Sequence, residues 1–240
     1  MALIPDMRVR RTEPELMDLP DIDLSKLHRT LGQFESINRT LSASRRLLRK
    51  YLFPKLARSD VFTILDVGAG ACDIPKWIVR RARKRRWKVK ITALDADPRI
   101  VAWARNATVD YPEIDVVEGT ALELEHVGEY DFVFANHFLH HIADENLSLV
   151  VQNIDARARH GFLVNDLRRR SWAYAGFSLY AALFARNSLS RVDGMYSIRK
   201  GFRAEELMQL LESGLSESGI KVFTTFPARI GFIRESSHQN

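Results

Sequence analysis

Cysteine is almost absent. The single thiol of the 240-residue chain, Cys72, rules out a disulfide framework and leaves too few sulfur ligands for a zinc cluster. No metal is therefore expected from the sequence, and a reducing, cytoplasmic setting is. Long apolar runs are missing too. Nothing reaches the ~18 uninterrupted apolar residues of a membrane span, and the opening MALIPDMRVRRTEPELMDLP lacks the apolar core of a signal peptide. Neither internal repeats nor low-complexity linkers are found. What is present is 46% hydrophobic and 28% charged, with a formal net charge of +6, which suffices to bury a full core as one globular domain with at most a small appendage.

Three zones separate along the chain. Between Pro14 and Leu56, the residues Leu24, Leu27, Leu31, Phe34, Ile37 and Leu41 recur at steps of three and four, which predicts helices. From Val61, short β-rich runs alternate with helical patterns: FTILDV before a helix from Ile74, KITALD before one from Pro98, IDVVEG, YDFVFAN before one near Ile142, then GFLVND. This βαβ series predicts an α/β, doubly wound, mostly parallel sheet with helices on both faces. After Asp166 come an apolar segment, WAYAGFSLYAALFA, a helix at Arg203 to Leu211, and KVFTTFPARIGFI, read as two closing strands. The expected division is a helical lid over residues 1–58 and a sheet domain over 59–240, with a cap insertion at about 168–202.

The loop after the first strand, TILDVGAGACDIPKW from Thr63 to Trp77, is read by its charge. In a GxGxxG dinucleotide turn the pyrophosphate sits on a helix N-terminus, where amides and the macrodipole favour an anion. Here Gly68 and Gly70 supply the first two glycines, but Asp73 stands at the sixth position and Asp66 just before the first. Two carboxylates would repel phosphates. The loop suits a ligand that needs close backbone approach and carries positive charge, as the sulfonium and ammonium of S-adenosylmethionine do. No Gly-Lys-Ser/Thr follows, so a Walker loop is excluded.

The motif ILDVGAGACDIP, and the order of elements from Val61 to Asp166, resemble the class I S-adenosylmethionine-dependent methyltransferases. The resemblance implies a Rossmann-like fold of seven strands and S-adenosylmethionine as cofactor, held by Asp66, Gly68 and Gly70. It places Asp95, closing LDADP, on the ribose hydroxyls with Ala96 beside it, and VVEGTALEL along the adenine through Thr120 and Ala121. Thr120 stands where the family often has an acid, and Cys72 where a third glycine is frequent. Asn136 marks the floor of the site. Asp97 and Pro98 read as a helix N-cap and first helical residue. Asn38 or Arg39, from the leading helices, is the candidate for the cofactor's carboxylate.

Methyl transfer is an in-line displacement at a positively charged sulfur, so positioning and desolvation supply much of the rate. A base is needed only where the nucleophile is protonated. FANHFLHHIADENL offers His137 as an acceptor contact, with His140 and His141 as catalytic candidates, since imidazole titrates near pH 6.5. The plainer alternative is packed or solvated histidine opening a helix, where two adjacent residues do not face the same way. Leu-His-His at this place is similar to the quinone and small-phenol group of the family. The Asn-Pro-Pro-Tyr motif of amino- and base-methylating enzymes is absent. In the cap, Arg168, Trp172, Tyr174, Phe177 and Tyr180 suit a flat, lipophilic acceptor. The same apolar helix also suits a core, a homodimer contact, or peripheral contact with a membrane surface, with Arg168 to Arg170 at one end.

The run RRARKRRWKVK, Arg80 to Lys90, is basic enough to track a phosphate backbone, with Trp87 available to stack on a base. It falls at the C-terminal end of a helix, where cations meet the dipole favourably, on the side away from the strand ends. Nucleic acid is therefore not the expected partner. The sequence points to methylation of an oxygen, or less readily a carbon, of a small aromatic, phenolic or quinone-like acceptor. The competing readings are an RNA or protein methyltransferase docking through residues 80–90 and a non-catalytic cofactor-binding subunit.

Overall fold

A computed structural model describes residues 5–57, 60–184, 189–214 and 219–235. The side chains of 184 and 212–214 are not described, so that of Phe184, an aromatic of the apolar run, is left aside, and residues 1–4, 58 and 185–188 of the expected lid and cap lie outside the described residues. Three helices lead: α1 (Leu24–Leu41), α2 (Ser44–Tyr51) and α3 (Phe53–Leu56). The alternating series follows as β1 (Phe62–Val67), α4 (Asp73–Arg85), β2 (Val89–Asp95), α5 (Pro98–Ala107), β3 (Ile114–Glu118), β4 (Phe132–Asn136), α6 (Leu147–Ala156) and β5 (Gly161–Leu167). Then come α7 (Ser171–Phe184), α8 (Ser190–Lys200), α9 (Ala204–Gly214), β6 (Ile220–Thr225) and β7 (Arg229–Glu235). The seven strands form one sheet in the order β3-β2-β1-β4-β5-β7-β6. The first five are parallel, and β7 runs antiparallel between β5 and β6.

The parallel strands read as nearly continuous apolar runs because helices cover both faces. Side chains alternate across the sheet. In β1, Phe62 and Ile64 join the core that Trp77, Val79 and Val101 build on one face, while Leu65 and Val67 join the core of Val150, Ile154 and Leu207 on the other. Leu47, Leu48, Leu52, Phe53 and Leu56 belong to the first of these cores, so α2 and α3 pack into the sheet domain. The segment ahead of α1 crosses to α8, where the Leu16 and Met17 amides donate to the Asp193 carboxylate at 2.8 and 3.1 Å. At α5, Asp97 accepts from the Arg99 amide as N-cap, with Pro98 in the first turn, as expected.

Register sets the site. Val67 pairs with Leu94 and Ala135, and Asn136 with Asn165. The carboxyl ends of β1, β2, β4 and β5 therefore line up, and ligands in open α/β sheets collect at that edge. One expectation needs correcting here. His140 does not open an α-helix: Leu139–His141 is a 3-10 turn, Asp144–Asn146 is another, and α6 begins only at Leu147. The cause is Asp166, whose carboxylate accepts both the His140 amide at 3.1 Å and its ring Nδ1 at 2.7 Å, pinning the chain before a helix can start.

Candidate active site

A cavity of about 780 Å³ opens at this edge. Its cofactor end is acidic. Asp66 is fully buried, and burial, reinforced by the nearby Asp73 and Asp95, raises its carboxyl well above the usual range. Burial also raises Asp73 and Asp95. Asp95 accepts the Gly70 amide at 2.8 Å and the Asp97 amide at 3.1 Å. Asp73 accepts from Asn38 Nδ2 at 3.0 Å, while its Oδ2 is buried without a partner. Because Asp73 occupies the first turn of α4, it holds the place an anionic phosphate would take.

The backbone permits this approach at two glycines. Gly68 has φ +70°, and a Cβ there would lie 2.4 Å from the Phe138 ring; Gly70 has φ +53°. Cys72, in the position of a third glycine, also takes a left-handed φ of 53° and is fully buried.

An amide relay ties the leading helix to the strand ends. Asn165 Nδ2 donates to Asn136 Oδ1 at 2.7 Å, and Asn136 Nδ2 to Asn38 Oδ1 at 3.3 Å, with Asn38 in turn on Asp73. Arg39 is exposed and borders a shallow surface depression with Arg45, Arg46 and Arg49 rather than the cavity, so the alternative of Arg39 as carboxylate ligand is not met.

The other end of the cavity joins aromatic walls to a buried polar cluster. Trp172, Phe177 and Tyr180 line it, following one face of α7. Tyr174 does not border it: about 200° round the helix from Trp172, it packs, together with Phe177, against Met7, Leu167 and Ile198. Arg168 is not on the cavity wall either, because its backbone is tied to Ala228 and bridged to Phe202 just past β5. The remaining expected residues, Ala96, Thr120, Ala121, Asn136 and His137, all border the cavity, as do His140 and His141.

Electrostatics divides the three histidines. His137 is half-buried on the cavity wall and has φ 59°; desolvation, with Arg229 nearby, holds its pKa well below the ordinary value, so it is neutral. His140 is buried between carboxylates, Asp166 Oδ1 at 2.7 Å from Nδ1 and Glu15 Oε1 at 3.5 Å from Nε2. Burial opposes its charge, but Asp166 and Glu15 outweigh it and raise the pKa to about 9. Burial likewise opposes charge on Glu15 and Asp166, and their cationic neighbours, His140 foremost, hold both well below the usual range. His141 is more exposed, with Nδ1 3.2 Å from Asp18. Lys200 and Arg229 are also buried here. Glu15, Asp18, Lys200 and Arg229 escape sequence reasoning because each lies outside the glycine and strand-end signals. Asp166, closing GFLVND, sits at a strand end where that rule would have found it.

The basic run caps the far end of α4. Arg83 forms a two-pronged pair with Glu113 at 2.7 Å, and Arg85 lies over the Trp87 ring. A 13-residue helix puts it about 20 Å from the cavity end of α4.

An acidic, glycine-lined pocket without a phosphate cradle thus lies at the strand ends of a sheet with this order, and the arrangement is similar to that of class I S-adenosylmethionine-dependent methyltransferases. Asp66, Asp73 and Asp95 fit a cofactor that is cationic and rich in hydroxyl donors. Residues 64–161 match the family described as "Methyltransferase domain". No curated protein matches the sequence. Among solved structures, the chain is similar to the plantazolicin methyltransferase BamL in complex with a triazolic desmethylPZN analog and SAH (17% identity, 83% of this chain and 70% of that one, TM-score 0.61). It is similar to human N-acetylserotonin methyltransferase (18%, 89% and 56%, 0.61) and to the CurJ carbon methyltransferase (12%, 91% and 62%, 0.61). The chain thus spans less than two thirds of the length of the last two. Among the described residues, no helix is long and apolar enough to cross a membrane.

Proposed function

We propose that the protein methylates an oxygen, or less readily a carbon, of a small aromatic, phenolic or quinone-like acceptor. The observation that carries this is the continuity of one cavity from the buried acids Asp66, Asp73 and Asp95 to the aromatic wall of Trp172, Phe177 and Tyr180 and the histidine cluster beyond. S-adenosylmethionine supplies an electrophilic methyl group on a sulfonium. Asp66 faces its positive end, Asp95 its ribose, and Thr120 and Ala121 its adenine. The aromatic wall orients a flat acceptor and keeps water out, which favours displacement at a charged centre. His141 takes the proton of the acceptor's hydroxyl, with His140, held cationic by Asp166 and Glu15, as a hydrogen-bond donor beside it, and α1, which lines the cavity through Phe34, Ile37 and Asn38, acts as a lid over the cofactor.

Residues 80–90 stand at the opposite end of α4 from the cavity, which counts against docking of RNA or protein through them. The test is incubation of a cell extract with the protein and methyl-labelled cofactor, followed by mass spectrometry. Label in a small aromatic product supports the reading. Label only in RNA or protein overturns it.

A further inference from the structure

Several donors converge on one atom in the acceptor end of the cavity. Glu15 Oε1 accepts from Ser197 Oγ at 2.8 Å, with Lys200 Nζ and His140 Nε2 each at 3.5 Å and His141 Nε2 at 3.9 Å. Both imidazoles turn Nε2 toward it, and both are held from behind through Nδ1, His140 by Asp166 and His141 by Asp18. Adjacent histidines were expected to face apart. The 3-10 turn instead leaves the rings 4.3 Å apart, centroid to centroid, and the segment ahead of α1 brings Glu15 between their nitrogens. His140 Nε2 is fully buried and makes no hydrogen bond.

We propose that Glu15, His140 and His141 bind a divalent transition-metal ion, zinc by donor type, at the acceptor end of the cavity. The three ligand atoms lie within 4.8 Å of one another. Bonds of about 2.0–2.2 Å in a tetrahedral zinc site separate ligand atoms by roughly 3.4 Å, so the site closes with a shift of about 1 Å. Two imidazoles and one carboxylate suit zinc better than magnesium or calcium, which favour all-oxygen shells. A carboxylate on the far nitrogen is the usual outer partner of a metal-bound histidine, and ligating carboxylates are themselves hydrogen-bonded. Here Asp166 and Asp18 play the first part and the Ser197 hydroxyl the second, with Lys200 Nζ paired to the same carboxylate at 3.5 Å.

Charge agrees. Glu15, Asp18, Asp144, Asp166 and Asp193 outnumber the cations Arg10, Lys200 and Arg229 around the cluster, leaving negative charge for a divalent ion to neutralise when the imidazoles are neutral. Three protein ligands leave a fourth position on the cavity, where a zinc ion polarises an acceptor hydroxyl. The ion's part in turnover rests on the function proposed above; its binding does not.

The experiment uses tag-free full-length protein, stripped with chelator and titrated with zinc chloride by calorimetry, with cobalt(II) absorption as a coordination readout. One equivalent should bind to the wild type. Glu15→Gln and His141→Ala should each lower zinc affinity at least ~100-fold and abolish the tetrahedral cobalt spectrum, while Asp18→Asn should lower affinity ~10-fold. S-adenosylmethionine titration of each variant reports folding independently. If Glu15→Gln does not fold, His141→Ala decides, since its ring is partly exposed. No zinc uptake by the wild type, or wild-type zinc affinity in a folded His141→Ala variant, overturns the proposal. Zinc binding with intact cofactor binding but no methylated phenol would uphold the site and sink the acceptor assignment instead.

Discussion

Replacing Gly68 by alanine tests the loop through two separable costs. At φ +70° a side chain occupies the left-handed region, which costs an L-residue about 1–2 kcal/mol. The new Cβ would also lie 2.4, 2.7 and 3.0 Å from Phe138 Cδ2, Cγ and Cβ, and overpacking of that kind costs a further ~1–3 kcal/mol. The expected loss is therefore about 2–5 kcal/mol. Phe138→Ala removes the ring atoms of the clash and none of the backbone strain, so Gly68→Ala in a Phe138→Ala background should cost only about 1–2 kcal/mol. Urea denaturation of the four proteins measures the coupling. A ring that must shift and a distorted loop should also weaken S-adenosylmethionine binding in the single variant. The reasoning fails if Gly68→Ala lies within ~0.5 kcal/mol of wild type, or if it costs the same with and without the Phe138 ring.

Asp66→Ala and Asp95→Ala should each weaken S-adenosylmethionine binding by about 1.5–3 kcal/mol in calorimetry, the range for hydrogen bonds to a charged group; unchanged affinity in both would remove these cofactor roles. The folded pKa of Asp66 is raised, so its protonated form contributes stability that is present below the unfolded pKa and lost as pH rises through the folded value. Asp66→Asn should accordingly stabilise the cofactor-free protein at pH 8 relative to wild type and much less at pH 4, while weakening cofactor binding; a destabilised variant at pH 8 in denaturant titrations would contradict this. His141→Gln should lower turnover on a phenolic acceptor ~100-fold while cofactor affinity stays nearly constant, and full turnover would make that histidine structural. Changing Arg83, Lys84, Arg85 and Arg86 together to glutamine should leave turnover on a small acceptor intact, and steady-state kinetics showing otherwise would bring the basic run into the function.

The element series was legible because its signals are local. Alternating apolar runs ending in Asp66, Asp95 and Asn136 are what parallel strands buried on both faces require, and the Asp97-Pro98 pair announces a helix start in any context. The sign of the ligand's charge was legible as well, since Asp73 at a helix N-terminus excludes a phosphate wherever the chain goes next. The cap was only partly legible. Trp172, Phe177 and Tyr180 reach the cavity while Tyr174 does not, because the choice of helix face depends on what α7 packs against, and its nearly uniform apolar sequence does not specify that.

By itself, then, the sequence determined the order of strands and helices, the glycine loop and the kind of cofactor it admits, all of which follow from spacing, backbone freedom and charge within short stretches. Only the tertiary structure decided what lines the end of the cavity away from the glycine loop. Glu15 and Asp18 come from ahead of the first long helix, His140 and His141 from after β4, Asp166 from the end of β5, and Lys200 from the end of α8. His140 and His141 mark themselves as a pair and Asp166 stands at a strand end, but Glu15, Asp18 and Lys200 do not mark themselves in sequence, since an isolated acid or lysine is usually a solvated side chain. They meet because burying both faces of the sheet drives the leading segment and the cap onto the same edge, and the charges they carry there must neutralise one another out of water.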